Sequence, residues 1–172
     1  MAATINTSRI KTDTTNIVSV LNNHLGKNEP ADIITWIMLG GRNFMDAQPA
    51  AAIDFVTASF NGIPKLSVQN LATILDVPMK DMAYLLSISY KTLGRKKKTD
   101  ILDSITSSLS IEIANTIAKG LSVFEDAAKF NRWLHKDNRA LNGRKPFDLL
   151  NTPTGIKLVN QVLDRIEEGV YT

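Results

Sequence analysis

The chain has 172 residues, a formal net charge of +3, 44% hydrophobic residues and no cysteine. That length fits one domain or two small ones with a real core, and the missing cysteine excludes disulfides and thiolate metal sites. A polar start and the lack of any long apolar run argue against a signal peptide or membrane span, so the expected location is the cytoplasm.

Residues 1–12 are rich in Thr, Ser and Asn, and read as a frayed start. Ile17, Val20, Leu21 and Leu25 recur at helical spacing and predict a first helix ending near Gly26. Pro30-Ala31-Asp32 opens a second helix, carrying Ile33, Ile34, Trp36, Ile37 and Leu39 and stopped by Gly40-Gly41. Gln48-Pro49-Ala50 opens a third through Ile53, Phe55 and Val56, before Asn61-Gly62 and Pro64 break the chain. Residues 1–61 therefore read as a helical extension, to which no function attaches from sequence.

Ser67 is placed to cap the next helix, in which Val68, Leu71, Ala72 and Leu75 form one face. Asp76-Val77-Pro78 ends it. A helix with Met79, Met82, Ala83 and Leu86 follows, then the short connection Ser87-Ile88-Ser89, then a helix from Tyr90 to about Lys98. Ser89 stands at an N-cap position, and Ile88 and Leu93 have the spacing of a hydrophobic staple. The unit resembles a helix-turn-helix, whose second helix enters the DNA major groove. Lys91, Arg95, Lys96, Lys97 and Lys98 crowd into eight residues. Two readings stand. The cations are a solvated helix end favoured by the helix dipole, or they meet phosphates. On the second reading Ser89, Tyr90, Lys91 and Thr92 face base edges, while Arg95, Lys96, Lys97 and Lys98 meet the DNA backbone. Gly94 is unfavourable in mid-helix, and either allows close approach or marks an early end.

Past Thr99-Asp100 the helical pattern resumes. Leu109, Ile113, Ile117 and Leu121 stand four apart, and residues 125–135 read as a further helix with Ala127, Ala128, Phe130 and Trp133-Leu134. Strand alternation, internal repeats and low-complexity tracts are missing, so the expected fold class is all-α. Two histidines, His24 and His135, stand far apart and suit surface or cap roles rather than metal binding. Neither a phosphate-binding loop nor a nucleophile elbow occurs. The sequence offers no catalytic residues, metal ligands or cofactor site, and the chain reads as a non-enzyme.

The last third, RWLHKDNRALNGRKPFDLLNTPTGIKLVNQVLDRIEEGVYT, carries the strongest signal. A Trp-Leu pair ends a helix, and Asn138-Arg139-Ala140-Leu141 leads into a loop where Gly143 allows positive φ. Pro146 starts a short helix with Phe147, Leu149 and Leu150. Thr152 caps a final helix with Pro153 at its first position, Gly155 in its first turn, and Ile156, Val159, Leu163 and Ile166 on one face. Gly169 stops it and leaves Val170 and Tyr171 on an extended tail, read in isolation as a frayed end.

This order of features resembles the toxin-binding domain of the Xre/MbcA/ParS antitoxin family, the neutralising partners in RES–Xre toxin–antitoxin pairs. The resemblance covers about residues 62–172. Asp137 stands where the family commonly has proline, and Asn142 where it commonly has a second glycine. The resemblance implies an Xre-like helix-turn-helix over 62–100 and a toxin-binding domain over 101–172. It implies toxin contacts at Asn138, Arg139, Leu141, Arg144, Thr152, Glu168, Gly169, Val170 and Tyr171, with the C-terminal segment at the toxin's active-site cleft. The implied partners are a RES-domain toxin that degrades NAD and operator DNA. A homodimer is expected because helix-turn-helix proteins usually read two half-sites. The alternative is a stand-alone transcriptional regulator whose C-terminal domain only dimerises.

Overall fold

The computed structural model describes residues 9–25, 27 and 29–170. Among them the chain is all-α, with isolated backbone bridges and no strand. The helices are α1 (Ile17–His24), α2 (Ala31–Leu39), α3 (Ala52–Asn61), α4 (Lys65–Leu75), α5 (Met79–Leu85) and α6 (Tyr90–Arg95). They continue as α7 (Ser104–Phe124), α8 (Ala127–Leu134), α9 (Pro146–Leu149) and α10 (Pro153–Glu167), with a single 3₁₀ turn at Arg139–Leu141. No helix among the described residues is long and apolar enough to cross a membrane.

The long helix α7 organises the molecule. Asp103 starts it: its carboxylate accepts from the Thr106 amide at 2.9 Å and the Thr106 hydroxyl at 2.7 Å, and these bonds hold it below the usual carboxylate pKa. α2, α3 and α10 all pack extensively on α7, and α8 joins them at its end. One continuous buried cluster runs from Ile17 in α1 to Leu163 in α10. A helix covered by several neighbours must be buried nearly all round. α7 achieves this with small residues, burying Ser107, Ser110, Ala114, Thr116, Ala118 and Gly120 beside Ile111, Ile113 and Ile117.

The start of the described chain is anchored, contrary to a frayed reading of residues 9–12. Thr12 is fully buried and its hydroxyl donates to the Ile37 carbonyl at 2.5 Å. Its amide donates to Gly40 O at 3.0 Å, and Arg42 N donates to Ile10 O at 2.8 Å. Residues 9–12 thus lie against the C-terminal end of α2. Gly26, where the first helix is expected to end, lies outside the described residues; α1 itself stops at His24.

Three capping expectations change. Ser67 does not cap α4. Pro64 holds that place, and the fully buried Ser67 hydroxyl donates to the Leu39 carbonyl at the end of α2. Glu125 does not start α8: it sits left-handed at φ 52 and closes α7, while Asp126 caps α8 by accepting from Lys129 N at 2.9 Å. His24 is not at the surface. It is buried in α1 and faces Glu29 Oε1 at 3.3 Å, whereas His135 is exposed and lies tilted against Phe147 with ring centroids 4.7 Å apart.

Candidate functional site

The C-terminal surface is assembled by α7, α8, the 3₁₀ turn and α10. Asn138 builds the turn: its side chain accepts from Ala140 N at 2.9 Å, its amide donates to Arg144 O at 3.1 Å, and its carbonyl accepts from Gly143 N at 2.9 Å. Asn142 and Gly143 both take positive φ, so the loop closes tightly. Arg139 and Arg144 are left exposed at this turn. Leu141 is instead buried and holds the turn to the core, so it offers little surface to a partner. Thr152 acts locally too, accepting from Gly155 N at 3.1 Å to cap α10.

Beside the turn lies a groove of about 210 Å³ lined by Phe124, Trp133, Asn138, Ala140, Val162, Arg165, Ile166 and Val170. Its aromatic wall, Phe124 and Trp133, is backed by Phe130. Phe124, Phe130 and Trp133 pack mutually, with centroids 5.5–6.0 Å apart. Asn138 and Val170, singled out separately in the sequence, meet here.

Val170 corrects the expectation of an extended tail. Glu168 ends α10, Gly169 turns at φ 73, and Val170 N reaches back to Arg165 O at 2.8 Å while Gly169 N donates to Ile166 O at 3.0 Å. This is a Schellman closure, which glycine favours because it has no Cβ to strain at positive φ. Gly169 therefore folds Val170 back beside the aromatic wall rather than releasing it. Glu168 and Gly169 are exposed, and Tyr171 lies outside the described residues.

Two side chains join this surface to the preceding helices. Asn131 Nδ2 donates to Ile74 O at 3.1 Å, at the end of α4. Asn151 Nδ2 meets the Tyr84 hydroxyl at 3.2 Å, in α5. Lys119 of α7 pairs with Asp164 of α10 across their packing face.

The basic segment is arranged differently from its sequence expectation. α6 ends at Arg95, not near Lys98. Lys96 is extended at ψ 141, and residues 96–101 turn back onto the start of α4. Leu66 N donates to Lys98 O, and Lys65 N to Asp100 O, both at 2.9 Å. The Asp100 carboxylate accepts from Lys97 N at 2.8 Å. Ser89 is the N-cap residue of α6, but its side chain makes no capping hydrogen bond. Ser89, Tyr90, Lys91, Thr92, Arg95, Lys97 and Lys98 are exposed; Lys96 is half-buried and donates to Ile101 O at 3.1 Å. Ile88 and Leu93 both join the core, as a staple requires. Gly94 has open space around it and coincides with the early helix end.

Lys65 gives no sequence signal, yet it holds this segment. It is buried, and its ammonium donates to Lys96 O at 2.6 Å and Gly94 O at 3.5 Å. A cation on the last carbonyls of a helix satisfies orphan acceptors and opposes the dipole. Lys65→Met keeps the apolar stem and removes the donors. It is expected to cost about 1.5 kcal/mol, measured by urea unfolding, and to raise amide exchange across residues 94–98. Unchanged exchange there would show that the backbone pairing alone holds the segment.

Among the described residues no cluster of His, Cys, Asp or Glu could hold a metal ion. The two surfaces present apolar walls, arginines and lysines, which suit binding.

Comparison with known proteins places the first surface. Residues 119–169 match the family model of the antitoxin Xre/MbcA/ParS C-terminal toxin-binding domain. A chain from the crystal structure of the M. tuberculosis MbcT–MbcA toxin–antitoxin complex aligns with 61% of this chain and 94% of its own length, at 21% identity and TM-score 0.45. The comparison with curated proteins gives no match. The family match spans late α7 through α10, the elements that build this surface.

Proposed function

We propose that this chain is the antitoxin of a type II toxin–antitoxin pair, acting in the cytoplasm and performing no chemistry itself. It binds a RES-domain toxin and blocks that toxin's consumption of NAD. The observation that carries the reading is the family match over 119–169, the stretch that builds the exposed arginine turn and the aromatic groove beside Val170. Arg139, Arg144, Thr152, Glu168 and Gly169, with Asn138 and Val170 at the groove, are the contact residues; Leu141 supports them from within. Inhibition is steric: the turn, the groove and the chain end beyond Val170, including Tyr171, cover the substrate entrance.

On this reading the helical face supplies most of the buried apolar area and the end residues supply the plug. Deleting residues 170–172 is therefore expected to restore toxin turnover substantially while weakening the complex less than about tenfold. NAD loss at saturating antitoxin, alongside calorimetric affinity, measures both. Full inhibition by the truncated chain would leave occlusion to the helical face alone.

The second half of the proposal is autorepression. Residues 62–100 form the DNA-binding region, with α5 and α6 as its helix-turn-helix, and the chain acts as a homodimer on paired half-sites. Support comes from the exposed Lys91, Arg95, Lys97 and Lys98 on one short stretch. Replacing Arg95, Lys97 and Lys98 by alanine should flatten the salt dependence of promoter binding. The log–log slope should fall by roughly 0.9 for each phosphate no longer neutralised. Toxin neutralisation should survive. An unchanged slope would assign these cations to a solvated helix end.

A further inference from the structure

A second groove shares no lining residue with the aromatic groove, and borders the α5–α6 connection at Leu86 and Ser87 and the start of α10 at Asn151 and Pro153. It runs between α3 and the first half of α7 and reaches the start of α10, with a volume of about 770 Å³. Its apolar lining includes Val56, Phe60, Ile105 and Leu109. Phe60 is 76% exposed and Ile105 81% exposed, among the most solvent-accessible large apolar side chains of the described residues. Such contiguous exposure is uncommon on a surface that stays bare. α3 is apolar on two sides: Phe55 is buried, while Ile53, Val56 and Phe60, spaced i, i+3 and i+7, are exposed. Among the described residues, the chain's own core leaves that second stripe unused.

The charges say what fits. Asp32 of α2 and Glu112 of α7 line the groove, both exposed, and among the described residues no Lys, Arg or His lines it. The rest of the polar lining is neutral, Ser and Asn. This contrasts with a chain whose net charge is +3. A second copy meeting this face about a twofold axis would bring each acidic wall onto its equal, with no cation to offset it. A helix with an apolar stripe and Lys or Arg at its flanks meets both requirements: its stripe fills the apolar floor and its cations pair with the two acids.

The geometry points to this groove as a docking site for a basic amphipathic helix of a partner protein, distinct from the arginine turn and the aromatic groove. The site deepens no part of the toxin reading and stands or falls without it.

The test uses the full chain and two fluorescein-labelled helical peptides of about 20 residues, long enough to span the groove. Both carry leucines at i, i+4 and i+7; one has Lys flanks and the other Glu flanks. By anisotropy the Lys peptide is expected to bind roughly tenfold or more tightly than the Glu peptide. Phe60→Asp with Ile105→Asp should abolish binding, and these exposed positions spare the core. Asp32→Asn with Glu112→Gln should erase most of the difference between peptides while keeping the Glu peptide's binding. Equal binding of both peptides, or binding that survives the Phe60/Ile105 variant, overturns the proposal. So does light scattering that shows a dimer lost in that variant, since a second copy would then be the occupant.

Discussion

Gly155→Ala is expected to disrupt the whole C-terminal surface, although it adds a single methyl. Gly155 is in the first turn of α10, and the carbonyl of Leu149, the last residue of α9, lies against it. A Cβ built there would stand on the Leu149 carbonyl oxygen, with Leu149 C at 2.8 Å and Thr152 Oγ1 at 2.9 Å. Two of these neighbours are backbone, and the third is the cap of α10 itself. No rotamer change relieves the clash, so α9 and α10 must separate. Overpacking of this kind costs about 3 kcal/mol or more, which lowers the melting midpoint by roughly 6–12 °C for a chain of this size. Alanine at Gly94, where nothing lies within 4 Å, is the control. It should melt near the wild-type temperature. Equal melting of both variants would refute the close approach.

The second large effect concerns modularity. Sequence divides the chain near Asp100, and a fragment beginning at Thr99 would carry the entire toxin-binding part. That fragment is expected to lose its cooperative thermal transition. α7 packs against α2 and α3 as well as α10, and its buried positions run round most of its circumference. Removing α2 and α3 exposes Ile111 and its neighbours, which α10 cannot also cover. Ile63 adds to the link: its amide donates to Ser107 Oγ at 3.0 Å, and its carbonyl accepts from Leu102 N at 2.9 Å. Circular dichroism should show reduced helix and a broad melt. A sharp transition in the isolated fragment would mean that α7–α10 form their own core and that the N-terminal helices are an addition.

That coupling is hard to read in the sequence because of what buries α7. The spacing of Leu109, Ile113, Ile117 and Leu121 announces one apolar stripe, and Leu109 proves only half-buried. Apart from Ile111, the remaining contact surface is largely Ser107, Ser110, Ala114, Thr116, Ala118 and Gly120. These look polar or neutral in sequence. Ser110 returns its hydroxyl to Thr106 O at 2.7 Å and Thr116 to Glu112 O at 3.1 Å. Hydroxyls satisfied by their own helix can be buried closely against neighbours. Local chemistry is more transparent. Thr152-Pro153 as a helix start, Gly169 as a stop and Ile88/Leu93 as a staple all follow from residue type and short spacing. Sequence misleads where a distant partner decides. Ser67 serves α2 rather than its own helix, and Lys65, silent in sequence, holds α6 because the 96–101 segment returns to it. Val170 is legible as a chain end but not as a folded one, since the Schellman closure depends on carbonyls a turn earlier.

The two surfaces imply separable losses. The arginine turn and aromatic groove can be damaged without touching Lys91, Arg95, Lys97 or Lys98, and the reverse also holds. Gly155→Ala, by contrast, should remove toxin binding through folding alone, which the melting curve exposes.

The most direct measurement is NAD consumption by a purified RES-domain protein encoded beside this chain, titrated with the full-length chain. Consumption is expected to fall linearly and stop once the chain saturates the toxin, with the two proteins co-purifying. NAD loss that continues at its full rate at saturating chain would contradict the antitoxin assignment.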